Sequence, residues 1–407
     1  MRNALCATRC LGEMNRIYLD HNATTPLRPE VLEAMLPYLR EAYGNASSIH
    51  SFGQEAKKGI EEARERVARL VHASPIEVIF TGGGTEADNL AIKGVAYAKR
   101  EKGRHIITSS IEHYAVLRPC EHLEREGFRV TYVPIDGNGL IDPEDVRKAV
   151  SEETILISLM HSNNEVGTIQ PIQEIGQIAR AHGILLHTDA IQSVGKVPVD
   201  VETLGVDLLS MSSHKIYGPQ GVGALFLRKG IPLEPLLQGG HHEMNRRAGT
   251  ENVAGIVGFG KAAELASGEL TQNQERMKSL RDYFWQKIQT KIEHVHLIGQ
   301  SADRLPNTVN IIFEFIEGES IVISLDLQGV AASTGSACTS GALEASHVLA
   351  AMGIPRLTAQ GSVRFSLGKG TDREDLDQAT EILAETVNRL RSFSPYYADM
   401  KNERRKS

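Results

Sequence analysis

Cysteine is scarce in this chain, with four in 407 residues, at Cys6, Cys10, Cys120 and Cys338. That is too few for a disulfide framework at this length, and their scatter fits a reducing compartment, the cytoplasm. Cys6 and Cys10 could form half of a metal site, but no second Cys or His pair at zinc-ligand spacing follows nearby, so no metal is expected. Long apolar runs are missing as well. Nothing approaches the roughly 18 consecutive apolar residues of a membrane-spanning helix, and the greasiest run, 155–160, has the length of a strand. A basic surplus is also absent, because 44 Lys and Arg against 51 Asp and Glu leave a net charge of −7. Neither nucleic acid nor an anionic membrane finds an electrostatic footprint, and a small-molecule partner is expected instead. There is no internal repeat and no low-complexity segment. Residues 1–14 lack the apolar centre of a secretory signal, and Met14 directly precedes a strand-like run, so residues 1–15 read as an extension ahead of the fold.

What is present is ordinary for a folded protein, with 41% hydrophobic and 23% charged residues. Val31, Ala34, Met35, Tyr38 and Leu39 recur at helical spacing, as do Ala56, Ile60, Ala63, Val67, Leu70 and Val71. Strand-like runs at 78–81, 105–108, 129–133, 154–160, 184–187, 207–211 and 222–227 then alternate with helical patterns. This predicts an α/β domain with a mostly parallel, helix-covered sheet. Near Ser267 the texture changes. A charged helix is expected over about 271–292, a strand over 308–313, helices over 319–327 and 343–352, a strand over 362–367 and a closing helix over 372–390, together a smaller α+β domain. The predicted division is a large domain of 27–267, a small domain of 16–26 with 268–395, and a basic, frayed tail of 396–407.

Chemistry concentrates at strand ends. Lys215, in Ser212-Ser213-His214-Lys215, follows a buried strand among small residues, where desolvation would lower the pKa of a Schiff-base amine. Asp189 stands at the carboxyl end of another strand, where open α/β sheets bind ligands, and an Asp there suits the ring nitrogen of pyridoxal phosphate; alone it could equally cap a helix. Thr81-Gly82-Gly83-Gly84-Thr85-Glu86 runs from strand through glycines to a helix start, a phosphate cup of backbone amides with the Thr85 hydroxyl beside it. It lacks the Walker pattern, and the glycines at 218–223 do not match a dinucleotide fingerprint. His113, just past a strand, could stack on a flat cofactor and exchange protons, or be structural. Cys338 lies among Ser, Thr, Ala and Gly, which reads as an exposed, mobile loop from which a thiol could reach a substrate. Cys120, on a helix, reads as packing.

Taken in order, these features resemble the cysteine desulfurases of the NifS/IscS type, fold type I pyridoxal-phosphate enzymes related to class V aminotransferases. The resemblance runs from Tyr18-Leu19-Asp20-His21-Asn22-Ala23-Thr24-Thr25 to the last helix and includes Asn163-Asn164-Glu165-Val166-Gly167, Arg247-Ala248-Gly249-Thr250-Glu251-Asn252 and Arg364-Phe365-Ser366-Leu367-Gly368. It implies that Lys215 holds the cofactor covalently, Asp189 pairs with the ring nitrogen, Gln192 bonds the phenolic oxygen and His113 stacks on the ring. Gly84, Thr85, Ser212 and His214 would bind the phosphate, with Thr250 reaching it from the partner subunit of a homodimer. Asn164 and Arg364 would hold the carboxylate of L-cysteine. Cys338 would take the sulfur as a persulfide and pass it to an acceptor such as an iron–sulfur scaffold, which makes it the one candidate cluster ligand. Family members commonly have Ser and Ala where this chain has Gly82 and Gly84, so a looser cup is expected. The alternatives are a selenocysteine lyase or an aminotransferase on the same fold, or a non-catalytic scaffold.

Overall fold

A computed structural model describes residues 16–334 and 346–404. The chain enters on a short strand, β1 (Ile17–Tyr18). The two amphipathic patterns form helices at Pro29–Arg40, with proline at its start, and Ser51–Leu70, capped by His50 Nδ1 accepting from the Gly53 amide. Seven strands follow in the large sheet: β2 (Val78–Thr81), β3 (His105–Ser109), β4 (Arg129–Val133), β5 (Thr154–Ser158), β6 (Leu185–Asp189), β7 (Leu208–Ser212) and β8 (Gly223–Leu227). Their spatial order is β2-β8-β7-β6-β5-β3-β4. From β7 to β4 every neighbour is parallel, whereas β8 runs against both β7 and β2. Two reversals leave β2 pointing the same way as β7, so the carboxyl ends of β2, β3, β6 and β7 share one edge.

β5, β6 and β7 are buried along their whole length, as strands covered on both faces must be. One face packs Phe80, Leu186 and Phe226 under the helices that carry Val67 and Phe259, and the other packs Ile106 and Leu225 under Leu90 and Leu123. Cys120 is buried there, its thiol pushed up to about 12, as a packing residue.

The second layer of structure is built from β9 (Val295–Leu297), β10 (Thr308–Phe313), β11 (Val330–Ala331) and β12 (Ser362–Ser366). β12, β10 and β9 form an antiparallel sheet, and β11 pairs in parallel with β1, Ile17 opposite Val330. Leu19, Phe284, Phe313, Phe365 and Leu376 share its core, with Phe284 and Phe365 edge to face at 5.3 Å.

Two elements differ from expectation. The helix expected from about 271 begins at Val253 and runs unbroken for 39 residues to Lys291. Its first turns are rich in glycine, which weakens intrinsic helix propensity, yet the packing requires it: a Cβ on Gly260 would stand 2.5 Å from the Ala63 backbone. The tail expected to fray is a helix, Pro395–Arg404, held by Tyr397 against Phe315 at 5.7 Å and under the Arg391 guanidinium at 5.6 Å. No helix among the described residues is long and apolar enough to cross a membrane.

Candidate active site

The shared edge of strand ends gathers the residues singled out above. Lys215 ends a single tight turn, Ser213–Lys215, that begins where β7 stops. Its Nζ donates to the backbone carbonyls of Asn22 and Ala23 at 2.6 and 2.7 Å. Asp189 is the last residue of β6; its Oδ1 accepts from the Ile191 amide at 2.9 Å. Burial pushes this carboxyl up to about 6, with the bond from Ile191 and the Lys215 charge pulling the other way. A carboxylate buried this deeply gains from a further cation beside it, and a protonated pyridine nitrogen would be one.

His113 caps the helix Tyr114–Arg125, its Nδ1 accepting from the Ala115 amide at 3.1 Å. Burial and the Lys215 charge hold the ring below its ordinary pKa. The neutral ring therefore carries its proton on Nε2. The structural and chemical readings of this histidine are compatible: the cap selects the tautomer.

The glycine loop opens the helix Gly84–Lys99, and with Thr85, Ser212 and His214 it lines one open cup. The first-turn amides of a helix lie beyond the reach of its own carbonyls, which makes them donors to an anion. Glu86 modifies this picture, because its carboxylate already takes the Gly82 amide at 2.7 Å and is itself held by Arg247 Nε at 2.8 Å. Nor is the cup loosened at Gly84, as expected from the small residue. The space a Cβ would take there is filled by Ile191 Cδ1, 2.2 Å from its ideal position. His214 is held neutral, near 4, by burial and by the charges of Lys215 and Lys196, and its Nδ1 lies 3.1 Å from Thr24 Oγ1.

Arg364, on β12, is buried and donates to Asp20 Oδ1 at 2.8 Å and to the Asn164 carbonyl at 3.0 Å; its Nε is buried with no hydrogen-bond partner among the described residues. Gln192 Nε2 donates to the Asn22 carbonyl at 2.9 Å. Thr250 is exposed and does not line the cup. Cys338 lies outside the described residues, as do Cys6 and Cys10. The described flanks of its segment are anchored beside Arg364, however. Ser333 and Arg364 exchange backbone hydrogen bonds of 3.1 and 2.7 Å, and Ser346 Oγ donates to Glu165.

Several members of the site escaped sequence reasoning. Asn22 is almost fully buried and acts as a hub: its carbonyl serves Lys215 and Gln192, while its Nδ2 donates to Thr308 Oγ1 at 2.9 Å and the Asn164 carbonyl at 3.2 Å. Glu112 is buried beside His113; its Oε1 accepts from Ser109 Oγ and the Met160 amide, and burial pushes its pKa up to about 8. His21 packs so close to Gly368 that a Cβ there would come within 2.1 Å of its ring. The spacing of Lys196, four residues beyond Gln192 on the turn after β6, was the one available signal for that residue.

An amine just past a strand end, a buried carboxyl at the end of the neighbouring strand and a glycine-loop cup at one edge of a mostly parallel sheet are features shared with fold type I pyridoxal-phosphate enzymes. Comparison with known proteins agrees. The family model for class-V aminotransferases matches residues 17–379. The chain is 55% identical over 385 residues to the cysteine desulfurase IscS of Dictyoglomus turgidum, covering 95% of this chain and 98% of that one. Among solved structures it is similar to a NifS-like protein (TM-score 0.87, 40% identity, 92% of this chain and 100% of that one). It is also similar to SspA in complex with cysteine (TM-score 0.77, 37% identity, 86% and 98%). The chain belongs to the class-V aminotransferase family, whose cofactor is pyridoxal phosphate.

Proposed function

We propose that this chain is a pyridoxal-phosphate-dependent cysteine desulfurase that takes sulfur from L-cysteine, releases L-alanine and holds the sulfur as a persulfide on Cys338. The observation that carries the reading is one hydrogen-bonded unit. Lys215 and Asn164 meet through Asn22, Arg364 donates to the Asn164 carbonyl, and Arg364 bridges to Ser333, at the near flank of the cysteine segment. An amine, a carboxylate-binding guanidinium and the approach to a thiol are thus tied together, and transamination has no use for the third.

When bound, pyridoxal phosphate supplies an electron sink that eases loss of the substrate Cα proton and weakens its Cβ–Sγ bond. The chain's residues do the rest. Asp189 would hold the ring-nitrogen proton, Gln192 would donate to the phenolic oxygen, and His113 would stack on the ring. The cup at Gly84, Thr85, Ser212 and His214 would hold the phosphate. Arg364 and Asn164 would hold the substrate carboxylate, with Arg364 Nε, unpartnered among the described residues, as a donor. Lys215 Nζ accepts the Cα proton. The Cys338 thiolate then attacks Sγ: the S–S bond forms, the Cβ–Sγ bond breaks, and its electron pair stays on Cβ, which takes up a proton to become the methyl of alanine, while Lys215 Nζ returns its proton to Cα. Thiol and cysteine become persulfide and alanine with no outside oxidant.

The persulfide would pass to an acceptor protein such as an iron–sulfur scaffold, and the enzyme would act as a homodimer in which Thr250 completes the partner's phosphate site. The proposed division into domains is 27–267 and 16–26 with 268–395, supported by the separate cores around Phe80, Leu186 and Phe226 and around Phe284, Phe313 and Phe365. The test is exposure to L-cysteine, with alanine measured in solution and the persulfide by mass spectrometry. Cys338→Ser should keep the cofactor's absorbance yet release almost no alanine and carry no added sulfur, since a hydroxyl is a poor nucleophile toward sulfur. Alanine release by that variant at the unmodified rate would sink the desulfurase reading.

A further inference from the structure

Lys196 has no part in the chemistry above, yet it sits inside the site. Its Nζ donates to Gln192 Oε1 at 2.7 Å and, more weakly, to Asn22 Oδ1 at 3.4 Å. The orientation of both amides is settled by partners that can only accept. Gln192 Nε2 faces the backbone carbonyl of Asn22, and Asn22 Nδ2 faces the backbone carbonyl of Asn164. Both amide oxygens must therefore face Lys196, and an amine has an N–H for each. This holds whether or not the amine is charged, which matters because burial and the cations of Lys215 and Arg364 push its pKa down. Asn307 Nδ2 gives Asn22 Oδ1 a second donor at 3.1 Å, so the Gln192 oxygen depends on Lys196 more than the Asn22 oxygen does. Gln192 Nε2 spends one N–H on Asn22 and has a second.

We propose that Lys196 is a positioning residue: by binding the amide oxygens of Gln192 and Asn22, it sets the direction in which Gln192 offers its second N–H to the phenolic oxygen of bound pyridoxal phosphate. In the same grip it steadies the Asn22 carbonyl on which Lys215 rests. The proposal builds on the function proposed above, with Gln192 at that oxygen. An N–H aimed at the phenolic oxygen favours its unprotonated form. Losing the aim raises the pH at which the bound cofactor gives up its proton, a change visible in its absorbance and independent of turnover.

The experiment is a spectroscopic pH titration of the cofactor-loaded protein without substrate. The midpoint for Lys196→Met should rise by about one pH unit, tenfold in proton affinity. Gln192→Ala should raise it similarly, and the double variant should rise no further than Gln192→Ala alone, because both changes remove one interaction. Lys196→Arg, which keeps donors for both oxygens, should restore most of the shift and also serves if Lys196→Met does not fold. A midpoint for Lys196→Met equal to the unmodified one, additive shifts in the double variant, or an arginine variant shifted in full would each overturn the proposal. An unmodified protein with no cofactor absorbance would bring down the reading of the site itself, and the proposal with it.

Discussion

At the scale of single residues, Glu112 makes the sharpest statement about pH. Its carboxyl is fully buried, Oε2 has no partner among the described residues, and burial lifts its pKa from an ordinary 4.5 to about 8. The folded state keeps this proton where the unfolded state has lost it. The contribution to stability is therefore complete below 4.5 and falls as pH rises, by up to about 1.4 kcal/mol per pH unit, until about 8. Glu112→Gln, neutral throughout, should lose that slope. Urea denaturation at several pH values in this window checks it, and parallel curves for the two proteins would refute it. Lys215 and Asp189 were legible in the sequence because each closes an apolar run, a local pattern. Asn22, Glu112 and Lys196 were not, since what makes Asn22 a hub is Thr308, 286 residues away, and what makes Glu112 unusual is the amide of Met160, just past β5. Polar residues of this kind look like any others until the fold buries them.

At the scale of elements, the start of the helix Gly84–Lys99 and the turn after β6 are fitted to each other. Ile191 fills the space beside Gly84, so Gly84→Ala should overpack the cup and cost about 1–3 kcal/mol. Trimming the opposing side chain, as Gly84→Ala with Ile191→Ala, should recover most of that loss. Thermal denaturation of the three proteins, with cofactor retention alongside, is the measurement, and a double variant no better than the single one would show that the two positions do not compensate. Strands and short amphipathic helices were readable because period and burial agree there. The first half of the helix Val253–Lys291 was not, because its glycines answer to the neighbouring Ala63 and Met35, contacts the local sequence does not contain. The same limit hid the turn at Glu243, Met244 and Asn245, each with positive φ, pinned where the Glu243 carboxylate takes both Arg64 Nη groups at 2.7 and 2.8 Å.

At the scale of the whole molecule, Thr250 is exposed, which fits the proposal that it serves a partner subunit's phosphate site. Sedimentation should find a dimer, and Thr250→Ala should leave that mass unchanged while cofactor is retained less well; a monomer that keeps its cofactor as firmly would count against the arrangement. The order of the chain adds a consequence in time. Ile17 pairs with Val330 and the Asn22 amide donates to Ser366 Oγ at 2.8 Å, so residues at the start of the described chain wait for partners near its end. Domains tend to fold as units while synthesis proceeds, earlier parts first. The large sheet, complete at β8, is free to form while the ribosome is still making β10, β11 and β12, and during that interval Asn22 lacks its Thr308 and Ser366 partners. A nascent chain thus carries Lys215 well before the last strand brings Arg364 to the Asn164 carbonyl, so on the proposed function it would gain its substrate-binding guanidinium last.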